Sequence, residues 1–299
     1  MQYTLKNAVK CSGVGVHSGK IANITLKPAD VNTGITFIRT DVTDKNNIVP
    51  ATWDAVTETQ LCTVISNEDG VTVSTIEHLM SALLACGVDN AIVEIDSAET
   101  PIMDGSAEPF VFLIECTGRQ KQNAARKTLR ILKEVVVVDG DKTVTLSPSE
   151  TTVFSLEIDF PNTIVGTQRY DIAMSRNAYK SEISRARTFG FLHEVEYLRK
   201  IGLARGGSLE NAIVIDGDKI LNQGGLRYKN EFVRHKILDA IGDLYLAGAP
   251  IMGHYNGIRA GHAMNNKALR ALFAQSDAYD FVTTQPNTTE RVIEEAVSA

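Results

Sequence analysis

Apolar and polar residues alternate along several short stretches of the chain, as expected for strands that bury one face. The stretches with this pattern are residues 21–27, 35–39, 90–96 and 152–160. An apolar run at 135–138 and the stretch at 143–146 flank an Asp-Gly-Asp turn, and this arrangement predicts a β-hairpin. The pattern therefore predicts a protein rich in short strands.

Helical periodicity is strongest in two places. Residues 74–86 place their apolar side chains on one stripe and end at Gly87, and residues 230–248 form a longer amphipathic helix. A short strand at 258–262 is expected to lead into another helix from Asn266. Strands followed by helices in each half predict an α+β fold, and no G-x-G-x-x-G motif follows a strand to support a dinucleotide-binding sheet.

The length of 299 residues favours two domains. A polar stretch near the middle is the best candidate for a linker. The predicted division is an N-terminal α+β domain at 1–120, a linker at 121–130, a C-terminal α+β domain at 131–284 and a polar tail at 285–299.

The composition excludes some classes of protein. The formal net charge is −6 and no dense block of Lys and Arg is present, so nucleic acid is not an expected partner. No apolar run is long enough to cross a bilayer, and residues 1–10 lack the apolar core of a secretory signal. We therefore expect a soluble, cytoplasmic protein.

The four cysteines are too dispersed to form a C-x-x-C pair. Without an export signal we expect them to be reduced thiols. A metal site in this chain would then depend on histidine and carboxylate ligands.

The helix predicted at 230–248 carries His235, Asp239 and Asp243 at intervals of four residues. This spacing places them on one narrow stripe, and an imidazole and a carboxylate one turn apart can bind one metal ion. Asp243 is placed to hold another group by a hydrogen bond. The alternative is an ordinary solvated helix face.

Glu77 and His78 are adjacent on the earlier helix and lie off its apolar stripe. A carboxylate beside a histidine ligand is suited to accept a proton from an activated water molecule. The alternatives are a capping box formed by Ser74 and Glu77 and a surface histidine at 78. The absence of H-E-x-x-H excludes an ordinary zincin protease.

Six segments occur together and in order along almost the whole chain, and together they resemble the UDP-3-O-acyl-N-acetylglucosamine deacetylase family, the zinc enzymes that commit a sugar nucleotide to lipid A biosynthesis in Gram-negative bacteria. The segments are GVGVHSG (13–19), TIEHLMSAL (75–83), PIMDGSAEPF (101–110), SRARTFGF (184–191), GLRYKNEFVRHKILDAIGDL (225–244) and GHAMNN (261–266). The resemblance implies two β-α-α-β sandwich domains packed helix layer to helix layer, each with a small insert.

The resemblance also implies a metal site. Its ligands would be His78, His235 and Asp239, with the fourth position open to water. The expected ion is Zn²⁺, and Fe²⁺ is the alternative because the same ligands accept both ions. Glu77 would be the general base that takes a proton from the water.

The remaining catalytic roles come from the same resemblance. His262 would act while protonated, as a general acid or oxyanion stabiliser, and Asp243 would orient it and raise its pKa. The hydroxyl of Thr188 would hydrogen-bond the tetrahedral intermediate.

The resemblance assigns further residues to the substrate. Lys236 and Phe189 would contact it, and Asp159 and Phe160 are candidates for the uridine part. An insert at about 190–221 would form an apolar passage for the acyl chain, with candidates Phe191, Leu198, Ile201 and Ala204.

The implied reaction is hydrolysis of the N-acetyl amide of UDP-3-O-(3-hydroxyacyl)-N-acetylglucosamine, which gives acetate and the free amine. No obligate protein partner is evident, and we expect a monomer. Two alternatives are a deacetylase for a different amide and a non-catalytic protein that binds a nucleotide sugar or a lipid.

Overall fold

The computed structural model describes residues 1–283, so the predicted tail at 285–299 lies outside the described residues. The helices in the described part are α1 (Glu77–Ala85), α2 (Glu108–Thr117), α3 (Arg176–Glu182), α4 (Leu192–Lys200), α5 (Glu231–Tyr245) and α6 (His262–Phe273).

The strands divide into two groups along the chain. Those of the first half are β1 (Tyr3–Leu5), β2 (Val9–Val14), β3 (Ile21–Pro28), β4 (Ile35–Arg39), β5 (Ile48–Pro50), β6 (Val56–Glu58), β7 (Val64–Ser66), β8 (Thr72–Ser74), β9 (Ala91–Ile95) and β10 (Arg119–Lys121). Those of the second half are β11 (Lys127–Ile131), β12 (Val135–Asp139), β13 (Lys142–Ser147), β14 (Val153–Phe160), β15 (Gly166–Ala173), β16 (Phe189–Phe191), β17 (Ile213–Asp216), β18 (Lys219–Ile220), β19 (Ile251–Met252), β20 (His254–Ile258) and β21 (Tyr279–Thr283).

Each half contains a five-stranded sheet, and the two sheets share one topology. The strand orders are β2-β3-β9-β4-β5 and β12-β13-β20-β14-β15. In both sheets the central strand is parallel to one neighbour, β4 or β14, while the other pairings are antiparallel. The predicted α+β class is confirmed, and the two halves are structural repeats although their sequences show no fixed period.

Smaller sheets complete each half. Strands β6-β7-β8 form one three-stranded sheet in the first half, and β16-β17-β18 form another within the predicted 190–221 insert. Strand β1 pairs with β10, and β11 lies between β19 and β21. The predicted linker at 121–130 therefore overlaps β10 and β11, and only residues 122–126 lie between them.

The predicted elements agree best with the structure where apolar and polar residues alternate without interruption. Strand β4 has the predicted bounds, and β12 and β13 form the predicted hairpin around Asp139 and Lys142. The strand predicted at 258–262 is wrong, because strand β20 comes earlier and ends at Ile258. Helix α6 accordingly begins at His262 instead of Asn266.

Helices α1 and α5 join the two halves. Helix α5 also packs on β14 and β15, and α6 packs on β12 and β13. The crossing of α1 and α5 is closest at Gly242, where a Cβ atom would lie only 2.0 Å from the carbonyl oxygen of Glu77. Any side chain at 242 would therefore force the two helix backbones apart.

No helix among residues 1–283 is long and apolar enough to cross a membrane. All four cysteines are free in the structure, as expected for reduced thiols; they are Cys11, Cys62, Cys86 and Cys116.

We predict that Gly242→Ala destabilises the protein, because the added methyl group overlaps the backbone of Glu77. Overpacking of this kind costs about 1–3 kcal/mol, which a thermal melt should register as a lower Tm. Gly224→Ala is the matched control, since a Cβ there meets nothing within 4 Å. Equal melting temperatures for wild type and the Gly242 variant would contradict the close approach.

Candidate active site

The first turn of α1 is placed by an unusual backbone conformation. Thr75 has a φ of 58°, a region that β-branched residues rarely adopt. Its carbonyl accepts a hydrogen bond from the Thr100 hydroxyl, and its own hydroxyl donates to Glu99 Oε1 at 3.3 Å. These contacts hold the turn between β8 and α1, so that Glu77 and His78 point inward.

Both alternatives for these two residues are wrong. Ser74 belongs to β8 and its hydroxyl donates to the carbonyl of Ala98, so no capping box forms with Glu77. His78 is buried, with an exposed fraction of only 4%. Burying an acid and an imidazole in one helical turn costs free energy of folding unless each group has a partner. Their burial therefore indicates a functional role.

The stripe on α5 is buried as well, so the interpretation as a solvated face is also wrong. His235, Asp239 and Asp243 are each at most 3% exposed. The crossing of α1 and α5 brings His78 beside this stripe. Its Nε2 lies 3.5 Å from Asp239 Oδ1, and Nε2 of His235 lies 3.4 Å from the same oxygen.

These three side chains fit a divalent cation. Ligands at about 2.0–2.1 Å from a tetrahedral ion are separated from one another by about 3.4 Å, close to the two distances observed. Asp239 Oδ1 is buried and has no hydrogen-bond partner among residues 1–283, as a carboxylate oxygen that binds a cation requires. His235 Nδ1 donates to the Ala186 carbonyl at 3.0 Å, which leaves Nε2 free to bind.

The electrostatics favour the ligand forms of these groups. Burial lowers the pKa of His235 to about 3, against the attraction of Asp239, so its imidazole is neutral at physiological pH. Burial opposes the charge of Asp239, yet His235 and Lys236 hold its pKa well below the ordinary value. Lys236 is the charged partner at neutral pH, with its Nζ 3.0 Å from Asp239 Oδ2.

A second group of buried residues lies beside the three ligand candidates. His262 Nδ1 donates to Asp243 Oδ2 at 2.8 Å, and its Nε2 lies 4.0 Å from Glu77 Oε1. Thr63 joins the acids, because its backbone N–H donates to Glu77 at 3.1 Å and its hydroxyl to Asp243 Oδ1 at 2.6 Å. Asn265 donates a further bond to Asp243 at 2.8 Å.

This network sets an acid and a base side by side. Burial alone would lower the pKa of His262, but Asp243 and Glu77 raise it to about 9. The imidazole is therefore protonated at neutral pH. Burial raises the pKa of Glu77, and the nearby His262 and His78 offset part of that rise. A carboxylate whose pKa is raised toward neutrality is a suitable general base.

The segment 184–191 lies beside the site, where the Ala186 carbonyl accepts a hydrogen bond from His235. A buried ion pair fixes it to α5, with Arg187 Nε 2.9 Å from Glu231 Oε1. The backbone N–H of Thr188 donates to the carbonyl of Gly105 at 2.8 Å. Gly105 must be glycine, since a Cβ there would lie 2.1 Å from the Asn211 carbonyl oxygen. These contacts place Thr188 at the edge of the cavity that contains Glu77.

That cavity has a volume of about 380 Å³ and extends from Glu77 and His78 into the 190–221 insert. Thr188 also lines it. Among the predicted substrate residues, Phe189, Leu198 and Ala204 line it. Phe191 and Ile201 do not, since Phe191 packs toward Phe160 and Ile201 is 55% exposed.

The two candidates for the uridine part lie next to this region. The ring of Phe160 makes an edge contact with that of Phe189, with centroids 5.8 Å apart. Asp159 is engaged by Arg259 at 2.7 Å and by the Thr167 hydroxyl at 2.7 Å. The structure places Phe160 beside the cavity and leaves Asp159 in an ion pair on its flank.

Sequence reasoning missed several residues that the site depends on. Thr63 lies in an irregular loop with no periodic signal, so nothing in the sequence marks it. Asn265 and Glu231 lie within the segments that carry the resemblance but were not assigned a role. Gly242 lies between Asp239 and Asp243 on α5, and the need for glycine there is visible only in the packing of α1 against it.

Comparison with known proteins agrees with this geometry. The family model described as LpxC, UDP-3-O-acyl N-acetylglycosamine deacetylase, matches residues 2–274. The chain belongs to this family. A relative from Phenylobacterium zucineum named UDP-3-O-acyl-N-acetylglucosamine deacetylase is 52% identical over 291 residues, which cover 97% of this chain and 99% of the relative.

Other relatives carry the same name. The protein from Shewanella halifaxensis is 50% identical over 284 residues, and that from Idiomarina loihiensis is 51% identical over 284 residues. Each alignment covers 94% of this chain and 92% of the relative. The family expected from the six sequence segments is confirmed, and deacetylases of this family are metal-dependent hydrolases, consistent with the cluster of His78, His235 and Asp239.

We predict that Asp243→Asn shifts the pH dependence of activity. Loss of the carboxylate removes the main charge that raises the pKa of His262 to about 9, so His262 loses its proton at lower pH. The alkaline limb of the kcat/KM profile should move toward neutral pH by at least about one unit. An alkaline limb that stays in place would show that Asp243 does not control His262.

Proposed function

We propose that this chain hydrolyses the N-acetyl amide of UDP-3-O-(3-hydroxyacyl)-N-acetylglucosamine, giving acetate and the free amine, the committed step of lipid A biosynthesis. The observation that carries the proposal is the lining of the cavity. It includes Glu77, His78 and Thr188, together with apolar side chains of the insert such as Val195 and Leu198. An amide beside Glu77 and His78 and an acyl chain along the insert match those two environments.

Each catalytic side chain has a role that its position supports. Glu77 takes a proton from the attacking water, because its carboxylate lies beside the cluster of ligand candidates and its pKa is raised. His262 holds a proton at Nε2 and gives it to the leaving amine nitrogen. Asp243 keeps His262 charged through the bond to Nδ1.

The oxygen of the scissile carbonyl gains negative charge as water attacks. Thr188 lines the cavity together with Glu77 and His78, and its hydroxyl donates a hydrogen bond to that oxygen. When bound by His78, His235 and Asp239, a divalent cation supplies Lewis-acid activation of the water and the carbonyl. Lys236 lies with its Nζ 5.8 Å from the centre of the Phe189 ring and 3.0 Å from Asp239, and both Lys236 and Phe189 contact the substrate.

The alternative of a non-catalytic binding protein is disfavoured by Glu77 and His262. Burying a carboxylate and an imidazolium costs free energy of folding. A site that only binds its ligand does not require these two buried charges. The alternative of a deacetylase for a different amide is tested by measuring which acetylated substrates release acetate. Zn²⁺ as the ion, a monomeric chain and a cytoplasmic location stay predictions.

We predict that Glu77→Gln lowers kcat by about 10²–10⁴-fold, because glutamine keeps the acceptor for the Thr63 N–H but cannot take a proton. Acetate release from the UDP-acyl substrate measures this. Metal content and KM should change little. Glu68→Gln, on an exposed loop, is the control.

Unchanged turnover in Glu77→Gln would remove Glu77 from the mechanism. The same assay on acetylated sugars without UDP or without the acyl chain tests the substrate. Acetate released from those sugars and not from the UDP-acyl substrate would overturn the proposed function.

We predict that protein purified without added metal contains about one divalent ion per chain, and that His235→Gln loses most of it, because one of three ligands is removed. Elemental analysis measures the content and distinguishes Zn²⁺ from Fe²⁺. His193→Gln is the control, since His193 is exposed on α4. Full metal retention in His235→Gln would contradict the assigned ligands.

A further inference from the structure

A second cavity lies at the C-terminal ends of α1 and α5, with Leu84 and Leu244 in its lining. It has a volume of about 690 Å³ and is called the rear cavity here. Gly87 lies ten residues after Glu77, about 15 Å along the direction of α1, so the two cavities are separate. Its lining includes Leu84, Gly87, Arg119, Arg176, Leu244 and Ile251.

Two arginines from different halves of the chain converge at Gly87. A Cβ on Gly87 would lie 2.6 Å from Arg119 Nη1 and 3.5 Å from Arg176 Nη2. The backbone supports this arrangement, since Arg176 donates to the carbonyl of Cys86 at 3.0 Å and Arg119 to that of Gly87 at 3.3 Å. The absence of a side chain at 87 lets the two guanidinium groups approach each other.

Neither arginine has a carboxylate partner within the part of the chain that the structure describes. The third arginine of the cavity, Arg126, differs, because its Nε lies 2.7 Å from Asp89. Glu115 is engaged by Lys180 at 2.8 Å. Burial and the charge of Arg176 lower the pKa of Arg119, as expected for two like charges without a counter-ion.

The rest of the rear cavity presents both polar and apolar side chains, and the apolar ones come from several elements. Leu84 comes from α1, Leu244 from α5 and Ile251 from β19, and Phe154 of β14 adds an aromatic wall. A ligand that fills this space therefore needs an apolar portion as well as a negative charge. Guanidinium pairs are well suited to phosphate and carboxylate groups, which accept two parallel hydrogen bonds from each arginine.

We propose that the rear cavity is a binding site for an amphipathic organic anion, whose phosphate or carboxylate group bridges Arg119 and Arg176 while its apolar part lies against Leu84, Leu244 and Ile251. The bound anion neutralises two converging positive charges that the chain itself leaves unpaired. It also ties the segment after α2 to the start of α3. This site is separate from the proposed catalytic function and does not depend on it.

The test is calorimetric titration of the full-length, metal-loaded protein. Octyl phosphate and octanoate are the two anionic probes, inorganic phosphate lacks the apolar part, and octyl glucoside lacks the charge. We expect at least one octyl anion to bind about tenfold or more tightly than both inorganic phosphate and octyl glucoside, with an affinity that falls as salt increases. The stronger of the two anions identifies the head group.

A variant separates the rear cavity from the acyl cavity, which also offers apolar space. Arg176 is exposed, so Arg176→Gln should fold normally and keep its basal deacetylase activity. We expect it to bind the octyl anion about tenfold or more weakly, with partial recovery in Arg176→Lys. Lys142→Gln removes an equal charge at an exposed residue of β13, and this variant should bind the octyl anion like wild type.

Three results would overturn the proposal. Equal affinity in wild type and Arg176→Gln would place the anion elsewhere. Equal binding of octyl glucoside, or no binding by either octyl anion, would exclude a charged head group held by the arginines. Inorganic phosphate that binds as tightly as octyl phosphate would exclude the apolar part of the ligand.

Discussion

Helices α1 and α5 cross with their backbones almost in contact, and the candidate active site depends on that crossing. Gly242 makes it possible, because any Cβ there would overlap the carbonyl of Glu77. The approach places the first turn of α1 against the middle of α5. Glu77 and His78 thereby meet His235, Asp239 and their neighbours, although the two groups are separated by more than 150 residues in the chain.

The site concentrates charge where burial makes charge expensive, and each group is stabilised by a specific partner. Asp243 receives three hydrogen bonds, from Thr63, His262 and Asn265. Lys236 offsets the charge of Asp239, with its Nζ 3.0 Å from Asp239 Oδ2. The remaining unpaired oxygen of Asp239 is the position at which a cation completes the balance. The same low polarity that makes these groups costly strengthens their effect on a reacting amide.

The two halves use one topology for different purposes. Each supplies a five-stranded sheet and a small three-stranded insert. The first half contributes the proposed base and one ligand candidate, while the second contributes the proposed acid, two ligand candidates and the apolar insert. Beside Gly87, just after the C-terminal end of α1, Arg119 and Arg176 form a positive pair without a carboxylate partner among residues 1–283.

The sequence by itself determined the local elements and the chemistry of the candidates. The regular alternation of apolar and polar residues predicted the bounds of β4. The spacing of His235 and Asp239 on α5 predicted that these two side chains can bind one metal ion. The resemblance of six segments predicted the family. Tertiary structure alone decided that these polar stripes are buried and that Thr63 joins Glu77 to Asp243. Periodicity reports only which side chains share a helix face, whereas burial depends on what packs against that face from a distant part of the chain.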